Sequence, residues 1–285
     1  MKKIVTLPDK RKLSYIDVGN EKDKVILYFH GVPSAADEWN LWGDEDKIKA
    51  LGIRLVAIDR PGLGLSTFHP NRRISDWAKD ITYFTNILGI EKFSVLGYSG
   101  GGPYAAVCGA LMPDRVRTVG IVSSVVPFNI ENVLEGINQW NIQFLKSSIE
   151  KPLLFRFLYR QVGLIAKLAP KQYLKKALEG LETVDAEVFC IPKVHNALFS
   201  AKGSAKGQQL DTKLIISPWD FDLKDIQIPV YIWHGGKDHN ASPAMGRYLE
   251  GQIPNSVMNY IPEEGHISLI VKNAESILKK LVGVD

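Results

Sequence analysis

Apolar residues follow two alternating patterns along this chain. Nearly continuous apolar runs recur at five places: Val25–Phe29, Leu55–Ile58, Phe93–Leu96, Val119–Val122 and Val230–Trp233. A run without polar alternation indicates a strand that is buried on both faces, as in a parallel sheet covered by helices. The segments between the runs carry apolar residues at helical spacing, for example Ile74, Ala78, Ile81, Phe84 and Leu88. Strand and helix therefore alternate, which predicts an α/β fold with a mostly parallel central sheet flanked by helices.

Further strands are predicted near both ends of the chain. Ile4–Leu7 and Leu13–Val18 surround the polar turn Pro8–Arg11, which indicates an N-terminal hairpin. Near the other end, the apolar segment Ser256–Ile261 predicts a late strand.

The strand pattern is absent from residues 127–218, a segment far longer than an ordinary crossover between strands. Amphipathic helical periodicity replaces it. We therefore divide the chain into a core domain of residues 1–126 and 219–285 and a helical cap insertion of residues 127–218. The cap is expected to cover the carboxyl edge of the sheet, where ligands bind in open α/β folds. Its apolar run Leu153–Leu158 is expected to pack in the core rather than anchor a membrane.

Composition and charge narrow the class of protein. The 285 residues carry 35 Lys and Arg against 31 Asp and Glu, and these charges are interleaved, which does not favour a nucleic-acid partner. Cys108 and Cys190 lie in apolar surroundings and indicate neither a disulfide framework nor a metal site. No apolar run reaches the length of a membrane span, and the N-terminus lacks a signal-peptide pattern. We expect a cytoplasmic protein without membrane insertion, and no oligomeric state is indicated.

A glycine-rich turn carries the most specific chemical signal. Gly97-Tyr98-Ser99-Gly100-Gly101 follows one of the buried runs, and Pro103 after it suits the first turn of a helix. Glycine neighbours allow a serine at such a strand-to-helix turn to hold its hydroxyl clear of the backbone, beside the free N–H groups of the helix start. We therefore predict that Ser99 is a nucleophile.

A serine hydroxyl needs a base that accepts its proton, usually a histidine oriented by a carboxylate. His266 lies in a loop after the late strand, which delivers it to the carboxyl edge of the predicted sheet. Asp238 follows the run Val230–Trp233 and reaches the same edge. We predict that His266 is the base and that Asp238 orients it. Three competing acids precede that strand and are expected in turns: Asp220, Asp222 and Asp225.

The loop His30-Gly31-Val32-Pro33 follows the first parallel strand. The N–H groups of Val32 and Gly100 are predicted to form an oxyanion hole, whereas Pro33 has no N–H to donate. His30 fits two interpretations equally well, a brace for this loop or an ordinary core histidine.

The substrate pocket is less sharply indicated. Trp39, just beyond the oxyanion loop, and His195, within the cap, are candidate substrate-binding residues. The cap is rich in apolar and aromatic residues, which predicts a small, largely apolar substrate. Nothing in the pattern calls for a metal or a cofactor.

Together with the turn Asp59–Ser66 and the segment Met112–Val116, these residues resemble the α/β-hydrolase superfamily over nearly the whole chain outside the cap. The resemblance implies a sheet of eight strands, a Ser-His-Asp triad and no cofactor. Epoxide hydrolases and haloalkane dehalogenases of this superfamily carry an aspartate where this chain has Ser99, and proline iminopeptidases usually carry a tryptophan in place of Gly100. Asp59 and Arg60 are interpreted as a charged pair that fixes their turn.

The sequence thus predicts a cofactor-independent serine hydrolase, and foremost a carboxylic-ester hydrolase that acts through an acyl-enzyme. Two alternatives remain open. The same triad can cleave an amide, a lactone or a carbon–carbon bond, and the same scaffold can serve a non-catalytic ligand-binding protein.

Overall fold

The computed structural model describes residues 1–199 and 203–283. Its centre is one eight-stranded sheet in the order β1-β2-β4-β3-β5-β6-β7-β8. The strands are β1 Lys3–Thr6, β2 Lys12–Val18, β3 Lys24–Phe29, β4 Ile53–Ile58, β5 Phe93–Tyr98, β6 Val116–Val122, β7 Val230–Gly235 and β8 Ser256–Ile261. β1 and β2 are antiparallel and form the predicted hairpin, and the strands from β4 to β8 in this order run parallel. The predicted α/β fold with its mostly parallel sheet is confirmed.

Helices cover both faces of the sheet. They are α1 Glu45–Ala50, α2 Asp76–Ile87, α3 Gly102–Leu111, α4 Gln139–Glu150, α5 Pro152–Leu168, α6 Pro170–Glu179, α7 Thr183–Phe189, α8 Pro192–Phe199, α9 Ala205–Ile216, α10 Pro243–Gln252 and α11 His266–Val282. One hydrophobic core lies between the sheet and α2, α3 and α10, and a second lies on the opposite face under α1 and α11. Burial on both faces explains why the central strands read as continuous apolar runs.

The parallel strands end at a common level. Phe29 pairs with Gly97, Tyr98 with Val122, and Val122 with Trp233 in register. The loops that follow β3, β5 and β7 therefore leave the sheet at the same edge. Ser99, Asp238 and the loop His30–Pro33 follow these three strands and therefore lie at that edge.

Helices α4 to α9 occupy the chain between β6 and β7. The last of them is bound to the core: the Gly207 backbone lies against the Gly62 carbonyl, and Leu63 bridges to Gly203. Asp211 on α9 is fully buried and forms salt bridges with both Arg60 and Arg72. The positive charge of Arg60, then of Arg72, outweighs the cost of burial and lowers the pKa of Asp211.

Three expectations from the sequence are wrong in detail. Asp59 does not pair with Arg60, because the two side chains diverge: Asp59 accepts from the Ser14 hydroxyl and the Ala36 N–H, whereas Arg60 binds Asp211 and the carbonyls of His30 and Gly31. Cys190 is exposed, although Cys108 is buried.

The third correction concerns the run Leu153–Leu158, expected to pack in the core. Phe155 is buried, but Leu153, Leu154 and Phe157 are exposed, because only one side of α5 faces the rest of the protein. No helix in the described part of the chain combines the length and apolarity that crossing a bilayer requires.

Candidate active site

Ser99 lies on the turn between β5 and α3, in a short 3-10 helix spanning Ser99–Gly101. Its φ angle is +52°, a conformation that side-chain-bearing residues rarely adopt. Glycine is required around it because a Cβ on Gly97 would collide with the Gly101 carbonyl, and one on Gly101 with the Phe29 carbonyl. The strand, helix and oxyanion loop therefore approach one another closely only because these side chains are missing.

The structure brings the three predicted triad residues together. His266 Nε2 lies 3.0 Å from Ser99 Oγ, and His266 Nδ1 lies 2.8 Å from Asp238 Oδ2. All three residues are buried, and Ser99 keeps 7% of its surface exposed. An ionised carboxylate only accepts hydrogen bonds, so Nδ1 must carry the proton. The lone pair of Nε2 is then free to accept the Ser99 hydroxyl proton.

The local charges favour this arrangement. Burial lowers the pKa of His266, but the negative charge of Asp238 outweighs it, and the pKa lies above the ordinary histidine value. Burial likewise opposes ionisation of Asp238. The charge of His266 and the hydrogen bond between the two side chains nevertheless keep the pKa of this carboxyl below its usual range. The imidazolium that forms when His266 accepts a proton is therefore stabilised.

Asp238 is held by the loop that follows β7. Its Oδ1 accepts from the backbone N–H groups of Asn240 and Ala241, at 2.9 and 2.8 Å. His234 braces the same loop, since its Nε2 lies 2.8 Å from the Ala241 carbonyl, and burial lowers the pKa of His234. The competing acids lie elsewhere: Asp220 bonds to Ser75, and Asp222 accepts from the Lys224 N–H.

The oxyanion loop packs directly on the serine. A Cβ on Gly31 would lie 3.3 Å from Ser99 Cβ, and one on Gly100 would lie 2.6 Å from Val32 Cγ2. Val32 and Gly100 are therefore side by side next to Ser99. His30 is fully buried behind them, and burial together with the charge of Arg60 holds its pKa well below the usual value. A neutral structural imidazole agrees with its interpretation as a brace.

Glu38 supports this loop from inside the protein and was missed by sequence reasoning. Its Oε1 accepts from the Gly31 N–H at 2.7 Å and from the Tyr28 hydroxyl. Burial raises the pKa of this carboxyl. Glu38 lies in the short 3-10 helix Ala36–Trp42, where a polar residue at this position gives no sequence sign of burial.

Asp185 was missed as well, although it anchors the helix that begins at the candidate base. Its carboxylate accepts from the N–H groups of His266, Ile267 and Ser268 at 2.9, 2.9 and 2.8 Å. Three orphan donors at the start of α11 are thereby satisfied by a residue of α7. A helix from the segment between β6 and β7 thus supplies the carboxylate that caps α11.

Trp39 and His195 are the two candidate substrate-binding residues, and packing contacts describe their surroundings. Trp39 is half-buried and packs against the core on the α11 face of the sheet. The ring of His195 lies 6.1 Å from that of Phe189 on the neighbouring helix. Their part in substrate binding stays a prediction.

A buried polar face of α9 adjoins the serine turn. Ile215 Cδ1 lies 3.0 Å from where a Cβ on Gly100 would be, and the helical period places Thr212 and Gln208 on the same face. The Thr212 hydroxyl and both amide atoms of Gln208 are buried without a hydrogen-bond partner among the described residues. Such groups are rare in folded proteins and call for an explanation.

Comparison with known proteins identifies the family. The family model for the alpha/beta hydrolase fold matches residues 24–178, more than half of the chain. The protein belongs to this family, as the resemblance of its motifs implied.

Two relatives match less than half of this chain, and one solved structure matches nearly all of it at low sequence identity. A bifunctional esterase/perhydrolase from Acinetobacter calcoaceticus is 31% identical over 131 residues, and a non-heme chloroperoxidase from Streptomyces lividans is 30% identical over 132 residues. Each match covers 45% of this chain and 46% of the relative, so the chain spans about half the length of these relatives. The crystal structure of an enol-lactonase from Burkholderia xenovorans LB400 superposes with a TM-score of 0.72 at 17% identity, covering 99% of this chain and 98% of that one.

Proposed function

We propose that this hydrolase cleaves carboxylic esters through a Ser99 acyl-enzyme. The observation that carries the proposal is the chain of contacts from Ser99 Oγ to His266 Nε2 and from His266 Nδ1 to Asp238. Nucleophile, base and orienting acid are the three parts that serine-based acyl transfer needs. The names of the esterase/perhydrolase and the enol-lactonase support ester chemistry.

In the proposed reaction, Ser99 Oγ attacks the ester carbonyl carbon as its proton passes to His266 Nε2. The N–H groups of Val32 and Gly100 stabilise the oxyanion, and the intermediate collapses when His266 returns the proton to the leaving alcohol. Water then attacks the acyl-enzyme with His266 as base, and the acid is released. Asp238 keeps the required tautomer throughout and stabilises the transient imidazolium.

We further propose that residues 127–218 form the cap over this site. The buried polar face of α9, within this cap, would receive the substrate. Gln208 and Thr212 offer hydrogen-bond donors and acceptors without charge, which suits a neutral polar group on an otherwise apolar ester. The variant Gln208→Leu is expected to lose preference for esters that carry such a group while retaining turnover of plain alkyl esters. Unchanged preference would contradict this assignment.

The reaction itself is tested by covalent labelling. A fluorophosphonate is expected to modify Ser99, which mass spectrometry of the active-site peptide reports, and Ser99→Ala is expected to remain unlabelled. Ser276→Ala removes an exposed hydroxyl from α11 and serves as the matched control.

A panel of p-nitrophenyl esters of graded chain length measures turnover in the same preparations. Folded protein without labelling of Ser99 refutes the proposal. If an apolar ligand also raises Tm without turnover, the scaffold is a binding protein.

A further inference from the structure

Among the residues that the structure describes, nothing covers an apolar stripe on the outer side of α5. Leu153, Phe157, Leu164 and Leu168 recur at a spacing that places them on one face of the helix. They are 76%, 56%, 49% and 72% exposed, whereas Phe155 points inward and is buried. Large apolar residues grouped in this way on a surface mark an interaction site, unlike isolated ones.

The same region is strongly basic. Residues 146–176 contain eight basic residues against one acidic residue, Glu150. The basic residues are Lys146, Lys151, Arg156, Arg160, Lys167, Lys171, Lys175 and Lys176. Within the described ranges, no acidic side chain forms a salt bridge with any of them. The chain as a whole carries only +4, so the positive charge is concentrated here.

Helical geometry places two of these charges beside the stripe. Arg160 and Lys167 flank the apolar residues on α5, since they lie three residues after Phe157 and Leu164. On α6, a surface groove of about 520 Å³ is lined by Lys171, Leu174, Lys175, Leu178 and Glu179. Leu174 and Leu178 pack against the second hydrophobic core, so the lysines line the open edge of this groove.

We propose that this face, formed by the apolar stripe of α5 and its flanking basic residues, docks the protein on an anionic lipid surface. An apolar stripe flanked by lysine and arginine is the pattern of a helix that lies in the plane of a membrane interface. Basic residues near such a surface gain binding energy from acidic headgroups.

The charge also argues against a second copy of the chain as the occupant. A two-fold interface would bring the same basic patch of both copies together and would cost repulsion. Docking of this kind needs no spanning helix, so it agrees with the absence of one in the described residues. The proposal does not rest on the chemistry proposed for Ser99.

Co-sedimentation of the full chain with lipid vesicles tests the docking. We expect binding to vesicles of phosphatidylcholine mixed with phosphatidylserine, weakened by salt, and little binding to phosphatidylcholine alone. Leu153→Ser combined with Leu168→Ser is expected to weaken binding by about tenfold or more. Neutralising Arg160, Lys167 and Lys171 to glutamine is expected to weaken it by about a hundredfold.

Ile87→Ser is the matched control, because Ile87 is 54% exposed on α2, outside this face. It is expected to bind like the wild type, and Tm shows whether each variant is folded. Absence of binding to anionic vesicles, or equal loss in the Ile87→Ser variant, overturns the proposal. Sedimentation velocity provides a further check, since a dimer abolished by the Leu153→Ser and Leu168→Ser changes would make a second copy the occupant and overturn it too.

Discussion

The contact between Asp185 and the start of α11 gives a sharp prediction about the candidate base. The variant Asp185→Asn keeps the size of the side chain and removes its negative charge. One carboxylate oxygen is replaced by an NH₂ group, which faces backbone donors and cannot accept from them. At least one of the N–H groups of His266, Ile267 and Ser268 then loses its partner.

The lost hydrogen bonds at the start of α11 set the size of the effect on stability and on rate. Losing the cap costs about 1 kcal/mol, and leaving a buried N–H unsatisfied adds about 1 to 3 kcal/mol. This is below the total stability of about 5 to 15 kcal/mol of typical proteins, so the variant is expected to fold. A shift of about 1 Å in the position of His266 would reduce the rate by about a hundredfold. We therefore expect kcat/KM to fall by about ten- to a hundredfold.

The same substitution is expected to change the pH profile. The negative charge of Asp185 adds to that of Asp238 in raising the pKa of His266. A negative charge at the start of a helix, close to the imidazole, favours the charged form of His266. Without it the imidazolium is less stable, and the pKa of His266 falls. Because the base must be neutral to act, the acidic limb of kcat/KM is expected to move to lower pH.

The assay is the pH dependence of kcat/KM for a p-nitrophenyl ester in the wild type and in the Asp185→Asn variant. Glu182→Gln is the matched control, because Glu182 directly precedes α7, the helix that carries Asp185, and its carboxylate is more exposed. Glu182 Oε1 lies 3.3 Å from His239 Nε2. Its profile is expected to match the wild type. If folded Asp185→Asn protein has the rate and acidic limb of the control, Asp185 does not position the base.

Three further predictions concern packing and charge. Gly100→Ala is expected to lower kcat/KM at least about tenfold by pressing on Val32, with partial recovery when Val32→Ala is added; equal kinetics for the single and double variants would contradict this. Asp211→Asn leaves Arg60 and Arg72 without a counterion and is expected to destabilise the protein by about 3 to 5 kcal/mol in urea unfolding, so a loss below about 1 kcal/mol would refute the buried charge argument. Gly163→Ala, in the interior of α5 where the new Cβ meets open space among the described residues, is expected to stabilise the protein by about 0.5 to 1 kcal/mol, and a lower Tm would show the reasoning wrong.

Much of the sheet and of the candidate site was predictable because both depend on local signals. Continuous apolar runs identify strands buried on both faces, and parallel strands bring the residues after their carboxyl ends to one edge. Ser99 directly follows β5, Asp238 lies in the short loop after β7, and His266 follows the short loop after β8. Their meeting in the structure follows from chain order and strand polarity.

The supporting carboxylates could not be found in this way. Asp185 bonds to a backbone 81 residues away, and Asp211 pairs with a guanidinium 151 residues away. Each lies in a helical segment, where a charged residue is expected to face water. Only the packing of the insertion on the core turns these positions inward.

The exposed stripe of α5 illustrates the same limit for apolar residues. This helix carries large apolar side chains over much of its circumference, with Phe155 on one side and Leu153 and Phe157 on the other. Periodicity does not show which side meets the protein. The expectation of core packing was therefore right for Phe155 and wrong for its neighbours.

The buried pairing of Asp211 with Arg60 and Arg72 bears on how this protein can be recombined with others. A chimera in which another protein's segment replaces all of residues 127–218 would lose Asp211 and leave the guanidiniums of Arg60 and Arg72 uncompensated in the core of this protein. The exchangeable piece ends before Ser204, the residue that caps α9. The salt bridges of Asp211 make α9 part of the core in any such exchange, although α9 lies within residues 127–218.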